Sequence, residues 1–240
     1  MVPSKAWNVE SVFRFLLNLL IAFLVLGVVA YLAERLLPGP GGELRQTRLQ
    51  VIGTLVFQLA TFFLVGWFLR ENTLTWEQAF GISAGRWGRN LLFAGAAILA
   101  VLPVCYGLIW VVQKLLEWQS ITPDVQTMVK AVQQATTWDQ RALLGFTAIA
   151  LAPVWEELVF RGILFTVLRQ AGFPRLAWWA SSLLFATIHW NLLTFLPLLL
   201  FGAVMIWLYE RTENLLTPIA AHALFNALNF VWMLLGGPLV

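Results

Sequence analysis

The chain has 240 residues, of which 60% are hydrophobic and 11% charged, with a formal net charge of +3. An ordinary soluble domain is roughly 45–50% apolar and about 25% charged. That comparison excludes a disordered chain, which needs low hydrophobicity and high charge, and a water-soluble enzyme, whose surface so few charges would not cover. The expected class is all-α: one integral, multi-pass transmembrane helix bundle whose first partner is the lipid bilayer. The fifteen Lys and Arg are scattered, mostly at the ends of apolar runs. This suits the loops of a membrane protein better than a nucleic-acid-binding face, so no nucleic-acid partner is expected.

A spanning helix needs about 20 mostly apolar residues. The first run covers 12–37 and closes on the breaker sequence Pro38-Gly39-Pro40-Gly41-Gly42. It is too long for the apolar core of a cleaved signal and reads as a retained span. The second covers 49–69. Residues 71–89, with Trp76, Phe80, Arg86, Trp87 and Arg89, read as an interfacial connection with aromatic and basic anchors. The third span covers 90–113 and contains Pro103. Residues 117–139 form the most polar stretch, with Glu117, Asp124, Lys130 and Asp139, and read as a loop with an amphipathic helix lying on the membrane.

From Ala142 the apolar pattern returns, in spans at 141–169, 176–190, 192–209 and 215–235. That makes seven spans, or six to eight if some segments are short or re-entrant. The organisation is then 1–140, front spans and amphipathic connections, followed by 141–235, the bundle that carries the unusual polar residues. With seven spans, eight Lys and Arg fall on the N-terminal side and six on the other, with Arg161 inside a span. The excess leans toward a cytoplasmic N-terminus. Cys105, the one cysteine, lies in an apolar run and reads as a buried small hydrophobe; neither a disulfide within the chain nor a Cys-based zinc site is available to it.

The informative residues are ionisable ones at membrane depth, each costing roughly 2.5–3.5 kcal/mol on insertion scales. They fall in three groups. Within Trp155-Glu156-Glu157-Leu158-Val159-Phe160-Arg161, Glu157 and Arg161 are four apart and share a helix face. Their ion pair would reduce the cost of burying both. Glu156 lies about 100° around the helix and stays free for other work. The second group is Phe185-Ala186-Thr187-Ile188-His189. The third is His222-Ala223-Leu224-Phe225-Asn226, where His222 and Asn226 again share a face. His189 and His222 are the two histidines of the chain, and both are expected inside apolar spans rather than loops.

Each has a simpler explanation taken alone. Glu157–Arg161 can be a structural tie, and an intramembrane His or Asn can be interhelical glue, the role assigned to Asn229. Three helices each carrying a costly polar residue argue for a shared site. A carboxylate and an imidazole can hold a water and draw off its proton as it attacks a carbonyl. A second imidazole and a carboxamide can stabilise the oxyanion. That set is suited to peptide hydrolysis inside a membrane. The same donors, Glu156, His189 and His222, are the alternative ligands of a zinc ion with an open water position.

In this order the three motifs resemble the family of CAAX proteases and bacteriocin-processing enzymes (the CPBP intramembrane proteases), which includes the type II CAAX prenyl endopeptidases. The family pattern is E-E-x-x-x-R, then F-x-x-x-H, then H-x-x-x-N/D. The sequence supplies Glu156-Glu157-x-x-x-Arg161, Phe185-x-x-x-His189 and His222-x-x-x-Asn226. The resemblance covers about 141–230; residues 1–140 match only as generic spans. It implies a helical bundle with a catalytic cavity open to membrane and cytosol. It implies that Glu156 and His189 activate water, that His222 and Asn226 form the oxyanion site, and that Glu157, Arg161 and Phe185 support them. The substrate implied is a membrane-anchored peptide or protein, cut near its C-terminus, of the prenylated CAAX type in eukaryotic members. The location implied is the plasma or inner membrane for a bacterial chain and the endoplasmic reticulum or another organelle for a eukaryotic one. No cofactor is favoured, with zinc the alternative. A different class of reading is a non-proteolytic immunity, transport or scaffold protein that keeps the polar cluster for binding or proton movement.

Overall fold

The computed structural model describes residues 7–36, 43–83, 85, 87–122 and 127–236. Lys5, the breaker run at 38–42, Arg86 and Asp124 lie outside the described residues. Among the described residues the chain forms nine helices and no strand. These are α1 (Val9–Leu36), α2 (Glu43–Glu71), α3 (Trp76–Phe80), α4 (Trp87–Trp118), α5 (Thr127–Gln134), α6 (Trp138–Gln170), α7 (Pro174–Thr187), α8 (Phe195–Thr212) and α9 (Leu216–Leu234).

Each of the seven expected spans forms a helix within a few residues of its predicted bounds. Five of them, α1, α2 from Leu49, α4, α6 and α8, are long and apolar enough to cross a membrane. Helix α7 has 14 residues and spans about 21 Å at 1.5 Å per residue, short of a hydrocarbon core about 30 Å thick. Helix α9 has 19 residues, but His222, Asn226 and Asn229 dilute its apolar character. Pro103 is accommodated within α4 without breaking it. The amphipathic helix expected in the polar loop is α5. Its apolar face is turned to protein rather than only to lipid: Val129, Ala131 and Val132 are buried, and the last two cluster with Ala135, Leu144 and Phe230.

Helices α1 and α2 form an antiparallel hairpin, with Phe15 against Phe68 near one end and Phe23 against Phe57 further along. Arg14 is ion-paired to both Glu10 and Glu71. Helix α6 is central and contacts α2, α5, α7, α8 and α9, while α4 closes the far side against α8 and α9. The outer surface carries large exposed apolar side chains, among them Phe13, Leu20, Phe63, Leu92, Leu99 and Trp110. Burial of apolar surface against lipid, not water, is the environment such a surface fits.

One expected anchor lies elsewhere. Phe80 is fully buried, edge-on to Trp7 and tilted against Trp76, whereas Trp76, Trp87 and Arg89 stay exposed. The cause is the local geometry of α3. Thr75 and Gln78 form a reciprocal cap at its start. Gly81 ends it with φ +67°, a conformation a side chain would strain. A Cβ at Gly81 would fall on the carbonyl oxygen of Glu213. The turn therefore seats Phe80 against the α8–α9 connection, where Leu215 N–H donates to Phe80 O at 3.0 Å and Asn214 Nδ2 donates to Ser83 O at 3.0 Å.

Candidate active site

Helix α6 runs for 33 residues with Glu156 near its middle. It is not a regular α-helix throughout. Residues Thr147–Leu151 and Leu158–Phe165 are wound as wider π-turns, one on each side of the glutamate pair. Such turns release carbonyls from their usual donors, and neighbouring side chains take them up. Ser181 Oγ donates to Phe160 O at 2.9 Å and Thr166 Oγ1 to Arg161 O at 3.0 Å. Asn226 Nδ2 donates to Ala148 O at 2.8 Å.

The expected ion pair is present and fully buried. Arg161 Nη1 donates to Glu157 Oε1 at 3.0 Å, and both side chains are shielded from solvent. The guanidinium also donates through Nη2 to Gly202 O at 3.0 Å and lies over the Phe185 ring, 4.5 Å from its centroid. A desolvated cation over an aromatic face gains about 2 kcal/mol. Phe185 is thus the floor on which the arginine rests.

The same Glu157 oxygen serves a second helix. His222 Nδ1 lies 2.8 Å from Glu157 Oε1. A carboxylate only accepts, so Nδ1 carries the proton and Nε2 is turned outward. Outward means toward Glu156, whose Oε2 is 3.7 Å from Nε2. Glu156 Oε2 is buried and makes no hydrogen bond among the described residues. The division inferred from the sequence therefore holds in the geometry: Glu157 is occupied by Arg161, and Glu156 is not. The tie from Glu157 to His222 was not anticipated. Helical spacing shows which residues share a face within one helix, and this bond crosses from α6 to α9.

His189 is displaced from the expected setting. It lies in the turn after α7, not within a span. The helix stops at Thr187, the chain reverses through Trp190 at φ +47°, and Asn191 Oδ1 accepts from Thr194 N–H to start α8. An Asn at this point competes with the helix by offering its own side chain to the backbone. His189 Nδ1 lies 2.7 Å from Phe185 O. A carbonyl only accepts, so this ring too is held with Nδ1 protonated and Nε2 available. His189 reaches the cluster through Phe185, with ring centroids 4.9 Å apart, rather than by an ion pair with Glu156. Phe185 in turn meets His222 edge-on at 5.9 Å, and Phe201 meets it at 4.9 Å.

Glu156, Glu157, Arg161, Phe185, His189 and His222 thus form one connected cluster from three parts of the chain, and Asn226 borders it through α6. Asn229 joins α9 to α4 by accepting from Tyr106 Oη at 2.8 Å, as interhelical glue does. Cys105 is buried, with Sγ 3.7 Å from Pro197 O. Gly202 was missed in the sequence. The signal was an isolated glycine inside an apolar helix, which often marks a close approach. Among the described residues no three His, Cys, Asp or Glu side chains converge as a metal-ligand set.

Five apolar spanning helices around a buried polar cluster define an integral, multi-pass membrane protein. Residues 138–228 match the family model for "Type II CAAX prenyl endopeptidase Rce1-like", and over that stretch the chain is similar to this family. All three motifs lie within the match. The chain is similar to "UPF0177 protein YaiF" of Lactococcus lactis subsp. lactis (strain IL1403), 33% identical over 92 residues, which cover 36% of this chain and 39% of that protein. It is also similar to "Putative membrane peptidase YdiL" of Bacillus subtilis (strain 168), 31% identical over 84 residues, covering 35% and 34%. The match therefore spans under two fifths of the length of these relatives. No solved structure matches the chain.

Proposed function

We propose that the protein is an intramembrane endopeptidase that hydrolyses a peptide bond near the C-terminus of a membrane-anchored substrate. The observation that carries this reading is Glu156: a buried carboxylate with an oxygen free of hydrogen bonds, beside an imidazole whose far nitrogen is held by another carboxylate. The family match and the peptidase name of one relative support it.

In this reading Glu156, with the free Nε2 of His189, takes a proton from water as it attacks the scissile carbonyl. Proton transfer to the leaving amine returns through the same carboxylate. His222 faces the developing oxyanion. It can donate from Nε2 only as an imidazolium, and Glu157 at Nδ1 is placed to balance that charge. Arg161, under Glu157, keeps that carboxylate in place. No step needs a metal ion, and none is assigned to the site.

The test pairs purified wild type with Glu156→Ala in detergent, using prenylated and unprenylated peptides with products read by mass spectrometry. Cleavage by wild type alone is the expected result, and the product masses name the bond and the lipid requirement. Equal cleavage by both proteins removes Glu156 from the reaction. A cellular phenotype retained by Glu156→Ala would favour the non-proteolytic reading. Stoichiometric zinc, lost with activity on chelation and restored with it, would replace the metal-free reaction with the zinc-dependent one.

A further inference from the structure

The wide turn before Glu156 has an identifiable cause and an identifiable cost. Ala152 N–H bonds to Thr147 O, five residues back. In an ordinary α-turn it would bond to Ala148. In the widened turn the next donor for Ala148 O is residue 153, which is Pro153 and has no N–H. The proline ring would also strike the carbonyl of Ile149, four residues back, in a regular helix, and the wider turn relieves that clash. Ala148 O is left without either backbone donor. Inside a membrane there is no bulk water to take their place. Asn226 on α9 supplies the bond, at 2.8 Å.

We propose that Asn226 is a positioning residue. By bonding Ala148 O it holds the proline-widened turn open, and so sets the rotation at which α6 presents Glu156 and Glu157. One extra residue in a turn rotates everything beyond it by about 100°. Glu156 is three residues past Pro153, so its direction depends on that turn. The inference deepens the protease reading and rests on it where it concerns Glu156 as the working carboxylate. It adds to a role for Asn226 as an oxyanion donor, since only one of the two amide N–H groups is used on the backbone.

The test is a double-mutant cycle of wild type, Asn226→Ala, Pro153→Ala and the double variant, each purified in detergent. Two readouts need no substrate: the thermal midpoint, and the rate at which a hydrophobic carbodiimide labels Glu156, followed by mass spectrometry. With Pro153 in place, Asn226→Ala is expected to lower the midpoint by several degrees. In the Pro153→Ala background it is expected to have little effect, because a backbone N–H can then reach Ala148 O. It is also expected to change the labelling rate of Glu156 several-fold. Equal losses of stability in both backgrounds would overturn the proposal, as would an unchanged labelling rate in Asn226→Ala. Peptide cleavage is followed in parallel. If wild type cleaves nothing, the protease reading fails on its own while both other readouts still decide this one.

Discussion

Glu156 and Glu157 are neighbours in sequence with opposite surroundings. Among the described residues, Glu157 accepts from Arg161 and from His222 through Oε1 and leaves Oε2 unbonded, whereas Glu156, with Oε2 likewise unbonded, accepts from neither at hydrogen-bond distance. Their substitutions should therefore separate. Arg161→Met leaves Glu157 buried without its cation and should cost about 3–5 kcal/mol. Glu156→Gln removes only the looser 3.7 Å approach to His222 and should leave thermal stability close to wild type while abolishing cleavage. Thermal unfolding in detergent, set beside the peptide assay, checks both; similar losses of stability would contradict the division of roles. This division was legible in the sequence, because spacing of four places Arg161 over Glu157 and about 100° of rotation carries Glu156 away. The bond from Glu157 to His222 was not legible, since it depends on how α6 and α9 meet.

At the scale of helices, the site is built where α7 and α8 approach closely, at Gly202 and Ser182. A Cβ at Gly202 would lie 3.3 Å from both Arg161 Nη2 and Ser182 Cα. Gly202→Ala should therefore push against the guanidinium and the α7 backbone together. Overpacking of this kind costs about 1–3 kcal/mol, and the measured thermal midpoint should fall accordingly; an unchanged or raised midpoint would show that α7 yields freely. The helices themselves were legible from apolar runs of spanning length, down to the polar loop that yields α5. The π-turns of α6 were not. The first arises from the meeting of Pro153 with a donor on α9, and no hydrophobic period reports such a meeting. The end of α7 before His189 was missed for a related reason: Trp190 and Asn191 turn the chain inside a segment whose composition stays apolar.

At the scale of the whole molecule, the buried Cys105 and the exposed start of α1 offer a direct test of orientation. The charge asymmetry predicts a cytoplasmic N-terminus. Val9→Cys should then react with a membrane-impermeant maleimide only after cells are permeabilised, against a native cysteine shielded inside the bundle. Labelling in intact cells would reverse the topology. The seat of α3 on the α8–α9 turn carries a different consequence. Leu215 and Asn214 belong to the stretch that matches the family, but their acceptors, Phe80 and Ser83, lie well outside it. The motif-bearing half is thus not a cassette. A chimera that grafts residues 138–228 onto another front half would strand two polar groups at the graft unless the Phe80–Ser83 segment travels with it.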